Sequence, residues 1–214
     1  MELEWCLPSH DESCVEHLAK TLNIPLPIAK ILFNRGITEI EQAYRFLYPR
    51  LKHLYDPWSL KDMNKAIKRI HQAIIKQEKV VIYGDYDVDG LAGTAILYLF
   101  LSPLIKNLIY YIPHRIKEGY ALNIEAIKRF KAADVNLIIT TDCGISNNEE
   151  IQFAQKSGID VIVTDHHEVP ASLPPAYALI NPKQPNCLFP FKELAGVGVA
   201  FNLLIALRQF LHNQ

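Results

Sequence analysis

Asp85, Asp87 and Asp89 stand at alternate positions just after the run Val80-Val81-Ile82-Tyr83, with Gly84 and Gly90 on either side. Three carboxylates so close together repel one another, and at neutral pH they stay ionised together only when solvent, a cationic partner or a metal ion offsets the charge. A solvated acidic turn is the plain alternative. The spacing also matches the first half of an EF-hand calcium loop. That match fails because the twelfth position is Ile96 rather than glutamate, and a strand-like run leads in where the loop needs a helix.

Two further stretches carry the same kind of chemistry. Asn136-Leu137-Ile138-Ile139-Thr140-Thr141 ends at Asp142, and Asp160-Val161-Ile162-Val163-Thr164 ends at Asp165-His166-His167. Carboxylate oxygens with imidazoles and no thiolate suit manganese or magnesium better than a structural zinc. Five carboxylates and two histidines exceed the needs of one ion. The expectation is two divalent cations roughly 3.5–4 Å apart, an arrangement that activates water and stabilises the leaving oxygen in phosphate-ester cleavage. Asp142, alone on its strand between the other clusters, is the natural bridge. Cys143 has no partnered base and reads as a buried thiol rather than a nucleophile.

The elements that position these groups follow from periodicity. From Lys79 onward, strands are expected at 79–84, 107–112, 136–141 and 159–164, separated by helices at 91–101, 123–132 and 147–156. Crossovers of that length imply a parallel sheet flanked by helices, and ligands of such sheets sit past the carboxyl ends of the strands. All three acidic clusters therefore fall on one edge. The segment Pro113-His114-Arg115 through Tyr120 opens onto the same edge, where Arg115 offers a planar fork for phosphate and Tyr120 a ring for a base. A short apolar run spans 177–180, and a last helix is expected from about Val197 to Leu211. Gly196-Val197-Gly198 is too short for a dinucleotide fingerprint. It opens that last helix as a tight turn whose N–H groups either serve the backbone alone or face phosphate.

Before Lys79 the pattern is helical. Residues 1–12, with Trp5 and Pro8, read as an irregular arm. Ser13 with Glu16, and Thr38 with Glu41, form capping-box signatures for two short helices, with another from Ile28 to Asn34 closed by Gly36. Tyr55 and Trp58 anchor an irregular stretch. Met63, Ala66, Ile67, Ile70, Ala73 and Ile74 mark a longer amphipathic helix, with Lys65, Lys68, Arg69 and Lys76 on its wet side. The division expected is a helical region at 1–78 and an α/β domain at 79–214.

Composition narrows the class. The 214 residues are half apolar, enough for a sizeable core, and the formal net charge of -1 supplies no basic field for polyanions. Cys6, Cys14, Cys143 and Cys187 form no C-x-x-C pair, so reduced cytoplasmic thiols are expected. No leader pattern and no long apolar span argue for export or membrane insertion.

Gly84-Asp85-Tyr86-Asp87-Val88-Asp89-Gly90, Thr141-Asp142-Cys143-Gly144 and Thr164-Asp165-His166-His167 together resemble the first three motifs of the DHH phosphoesterase superfamily. Further matches resemble its RecJ branch of single-strand-specific DNA exonucleases: Phe33-Asn34-Arg35-Gly36-Ile37, Phe46-Leu47, Asp56-Pro57, Asp62-Met63, the 113–120 segment, Asn181-Pro182 and the 194–201 segment. The resemblance implies 5′-to-3′ removal of nucleotides from single-stranded DNA in repair and recombination, with manganese or magnesium. It makes Asp85, Asp87, Asp89, Asp142 and His166 metal ligands, His167 and Arg115 contacts to substrate phosphate, and Asp165 a carboxylate that orients the histidines. Asp87, Asp142, His166 and His167 are the residues on which catalysis would rest. Single-stranded DNA, a single-strand-binding protein and a helicase are the partners it implies, with no membrane and a cytoplasmic location.

Two departures matter. Ala121 stands where the family has glycine, and the family's fourth motif with its further aspartate does not occur in these residues. The expectation is a metal-bearing part of a longer enzyme, weakly active or inactive alone. The rivals are a DHH-type phosphatase or oligonucleotide or cyclic-dinucleotide phosphodiesterase, and a non-catalytic partner module of the same fold.

Overall fold

The computed structural model describes residues 9, 11–119 and 121–213, so the arm around Trp5 and the ring of Tyr120 lie outside the described residues. The chain divides into two compact units, residues 1–54 and 55–214.

In the smaller unit, α1 (Glu12–Leu22), α2 (Leu26–Asn34) and α3 (Ile40–Leu47) bury Val15, Leu18, Ala29, Leu32, Ile37 and Ala43 against one another. Neither capping box forms. Asp11, two residues before Ser13, accepts the Ser13 and Cys14 N–H groups at 3.0 and 3.2 Å and also takes the Ser13 hydroxyl at 2.7 Å. The helix therefore starts earlier than the Ser13 signature places it. In α3 the first helical residue is Ile40, so Thr38 sits one position too early to cap, and Glu41 pairs instead with Arg45 at 2.6 Å.

The larger unit is a three-layer α/β sandwich. Its strands are β1 (Val80–Gly84), β2 (Leu108–Tyr111), β3 (Leu137–Thr141), β4 (Asp160–Thr164) and β5 (Ala178–Ile180), all parallel, in the order β2-β1-β3-β4-β5. The sheet thus has one strand more than the four expected. Ile162 pairs with Ala178 and Thr164 with Ile180, and a strand of three residues is too short to show a period in sequence.

Every residue of β1 and β3 is buried, as a sheet covered on both faces requires. Val80 and Ile82 pack with α4 (Met63–Lys76), α5 (Val88–Leu101) and α8 (Gly196–His212), while Val81 and Tyr83 pack with α6 (Ile124–Ala132) and α7 (Asn148–Lys156). The helix α4, grouped by sequence with the helical leader, belongs to this packing unit.

Arg69 does not lie on the wet side of α4: it is 4% exposed. It reaches past the core to Asp160 at 2.6 Å and Glu78 at 2.7 Å, which make its burial tolerable. Tyr55 meets the Phe189 ring edge-on at 5.8 Å, and the Trp58 indole N–H donates to Gln209 at 2.7 Å, so both act as anchors. Among the described residues no helix is long and apolar enough to cross a membrane.

The chain runs from β1 outward to β2 and then back across β1 to β3. That reversal opens a crevice between the carboxyl ends of β1 and β3, the place where open parallel sheets receive ligands.

Candidate metal centre at the carboxyl edge

The three acids after β1 are held in three different ways. Asp85 keeps its backbone paired to β3, its N–H donating to Thr141 O at 3.3 Å, and its side chain is buried. Asp87 caps α5 by accepting the Gly90 N–H at 2.9 Å. Asp89 reaches across to α8, where Oδ2 accepts the Gly196 N–H and Oδ1 the Val197 N–H, each at 2.6 Å. Those amides therefore serve an aspartate side chain, a partner that neither reading of the Gly196 turn supplies.

Close approach to the acids themselves makes glycine necessary at Gly90 and Gly196. A Cβ on Gly90 would lie 2.6 Å from Asp85 O, and one on Gly196 would lie 2.4 Å from Asp142 Oδ1. With side chains there, the first turns of α5 and α8 could not close on the acids.

Asp142 follows β3 with its N–H donating to Thr164 O at 2.9 Å and its backbone in the left-handed region at φ 62°. A non-glycine residue pays conformational energy there, about 1 kcal/mol. Its carboxyl is 1% exposed, and burial, followed by the charges of Asp89 and Asp87, pushes its pKa up to about 8. It shares a hydrogen bond with Asp87, and His166 Nε2 lies 3.1 Å from its Oδ1 and 3.6 Å from Asp89 Oδ2.

Asp165 is different in kind. Burial alone would raise its pKa, but hydrogen bonds from the His167 ring and from the N–H groups of Ile145 and His167 outweigh it, and the carboxyl stays below its ordinary range. Oδ1 takes the N–H groups of His166 and His167 at 2.7 and 3.1 Å and His167 Nδ1 at 2.7 Å, while Oδ2 takes Ile145 N–H at 2.9 Å. Its lone pairs face the chain, which fixes both histidines in place. The same bond raises the pKa of His167, against the opposing effect of its own burial.

Asn181 continues this bracing. Fully buried after β5, it donates to His167 O at 3.0 Å and accepts the Lys183 N–H at 2.8 Å. Sequence reasoning noticed the Asn181-Pro182 pair without giving it a task. Cys143 is buried with Sγ 4.0 Å from Tyr83 O, and burial pushes the thiol well up, so it packs and does not attack.

Among the described residues, two sets of side chains bring ligand atoms within 4.8 Å of one another: Asp85, Asp87 and Asp142, and Asp142, His166 and His167. Asp142 is common to both, and His167 joins the second set. Asp89 falls outside both, being engaged with α8. The donor set fits hard divalent cations. Asp85 Oδ1 is buried with no hydrogen-bond partner, and a buried carboxylate oxygen in that state is costly unless a cation meets it. Burial raises the Asp85 pKa, with Asp87 adding to the rise.

Arg115 lies on the turn after β2 with its guanidinium 5.3 Å from the ring of Tyr86, the residue between Asp85 and Asp87. Ala121 adopts φ 66°, a left-handed conformation that favours glycine.

Comparison with known proteins bears on the whole arrangement. Residues 79–214 match the profile of the DHH family, N-terminal domain. The chain is 44% identical over 206 residues to the single-stranded-DNA-specific exonuclease RecJ of Bacillus subtilis, covering 96% of this chain and 26% of that protein. Among solved structures, RecJ from Thermus thermophilus in complex with Mn2+ superposes with a TM-score of 0.73 at 29% identity, covering 96% of this chain and 28% of the other. An exonuclease RecJ bound to manganese gives 0.64 at 37% identity, covering 71% and 38%. The chain thus spans about a quarter to two fifths of the proteins it matches.

Proposed function

Because residues 79–214 make this chain a member of the DHH family, we propose that it carries the metal centre of a phosphodiesterase that removes nucleotides from single-stranded DNA in the 5′-to-3′ direction. The observation that supports this most is the pair of ligand sets sharing Asp142 at the switch point of the sheet. Kinship with proteins named single-stranded-DNA-specific exonucleases supplies the substrate class.

In this reading Asp85 and Asp87 hold one divalent cation, manganese or magnesium, with Asp142 as the shared ligand. His166, whose Nε2 stands between Asp142 and Asp89, holds the other, and Asp89 adds its charge while seating α8. When bound, such ions act as Lewis acids toward phosphate and make water a stronger nucleophile. The side chains do the rest. His167, its Nδ1 committed to Asp165 and its pKa raised, presents the other ring nitrogen to a phosphate oxygen. Arg115 offers a second, bidentate grip on phosphate from the turn above Tyr86. Asp165 fixes the orientation of the histidines and binds no metal. A cytoplasmic setting, with a single-strand-binding protein and a helicase as partners, belongs to the same proposal and rests on the motif resemblance alone.

The test joins metal binding to substrate choice. Calorimetry with Mn2+ should find two sites in the chain, both lost in Asp142→Ala. Enzyme containing this chain should degrade long single strands in preference to duplex and to dinucleotides. A preference for dinucleotides would shift the assignment to a small phosphodiesterase, and undiminished turnover in Asp142→Ala would leave a partner module.

A further inference from the structure

The turn that carries Arg115 is tied down by one residue to which no role has been given. Lys117 and Glu118 donate their N–H groups to His114 O at 3.1 and 2.9 Å, forming a single helical turn over 114–118. The Glu118 side chain then folds back on it. Oε2 accepts the His114 N–H at 2.8 Å, while Oε1 accepts Arg129 Nη2 of α6 at 2.6 Å and the hydroxyl of Tyr111, the last residue of β2. The Arg129 guanidinium lies 5.2 Å from the centre of the Tyr111 ring, closing the cluster. Hydrogen bonds from His114 N–H and the Tyr111 hydroxyl, with Arg129, hold the Glu118 carboxyl down at about 2, so it is ionised throughout the working range.

One carboxylate therefore fastens the turn to a strand and to a helix. On the turn's other side Arg115 rests over Tyr86, inside the aspartate triplet. Glu118 has no part in the metal sets, and its two oxygens already take three donors, which leaves it unsuited to act as a base or ligand. What remains is placement. A long arginine on an untethered turn would lose rotational freedom on meeting phosphate, and holding the turn beforehand removes that cost.

We propose that Glu118 is a positioning residue for Arg115, setting the guanidinium beside the metal centre so that it meets the substrate phosphate. This inference rests on the function proposed above and deepens it. It predicts that Glu118 acts on substrate affinity through Arg115 and leaves the cations untouched.

The experiment compares Glu118→Gln, Glu118→Ala, Arg115→Ala and the double variant Glu118→Gln/Arg115→Ala in enzyme containing the full chain. KM and kcat are measured on 5′-phosphorylated oligothymidylate, with Mn2+ affinity by calorimetry. Removal of an outer positioning contact is expected to raise KM by about 10–100-fold in both Glu118 variants, with kcat changed less than threefold and Mn2+ affinity unchanged. The double variant should be no worse than Arg115→Ala, because residues acting through one another are not additive. Glu118→Gln keeps the volume and answers the question should the alanine variant fail to fold. Additive losses, an unchanged KM, or a fall in Mn2+ affinity would overturn the positioning role. Wild-type enzyme that neither binds Mn2+ nor degrades the oligonucleotide would instead overturn the function on which it rests.

Discussion

The two ends of the sheet treat charge in opposite ways. At the amino edge, Arg69 is buried against Asp160 and Glu78 and donates to Asn136 O at 3.4 Å, so positive and negative groups largely answer one another inside the chain. At the carboxyl edge, Asp85, Asp87 and Asp89 have no lysine or arginine ion pair among the described residues, and Asp142 is pushed far from its ordinary pKa. Both clusters are acidic residues near strand termini, and burial alone does not distinguish them. Compensation does. Charge answered within the chain serves the fold, and charge left over at a ligand crevice is a seat for something the chain does not encode.

The sharpest way to separate the two edges is Asp142→Asn. It should lower Mn2+-dependent turnover by at least about a thousandfold, roughly 4 kcal/mol. The metal-free protein should nevertheless melt higher at pH 8. A carboxyl whose folded pKa is raised favours folding fully below its unfolded value near 4 and loses that contribution as pH rises through about 8, so removing its charge is stabilising there. Asparagine also tolerates the left-handed backbone. A lower melting temperature would show that the acids of this edge support the fold.

Arg69→Met should do the reverse. It strands Glu78 and Asp160 and should cost about 3 kcal/mol in urea unfolding, with Mn2+ affinity unaltered. A smaller effect comes from pH. Cation binding must displace the proton from Asp142, so apparent Mn2+ affinity should rise about tenfold, 1.4 kcal/mol, for each pH unit between 6 and 8. A flat calorimetric profile would place Asp142 outside the ligand set. The smallest change is Ala121→Gly, which relieves the positive φ and should stabilise the protein by about 1 kcal/mol in the same unfolding assay.

Much of the carboxyl edge was legible because its signals are local. An Asp-x-Asp-x-Asp triplet after an apolar run, and acids or imidazoles closing two later runs, need only the rule that parallel strands align their ends. The amino edge was not. Arg69 sits among lysines on a helix whose period puts it at the border of the wet face, and its partners come from the start of β1's approach and from β4. Nothing local distinguishes it from Lys65 or Lys68. The two capping boxes failed for a related reason, since a nearby carboxylate or a one-residue shift of the start is enough to defeat a four-residue signature. β5 was located as the apolar run 177–180 but was too short to be typed as a strand, and the bond from Asp89 to α8 joins residues with no sequence relation.

That last bond has a mechanical meaning. By gripping two successive amides at the head of α8, Asp89 couples the triplet loop to a helix that runs the depth of the core, so the posture of one is transmitted to the other. A tilt or unwinding of α8 would therefore pull, through Asp89, on the loop that follows β1.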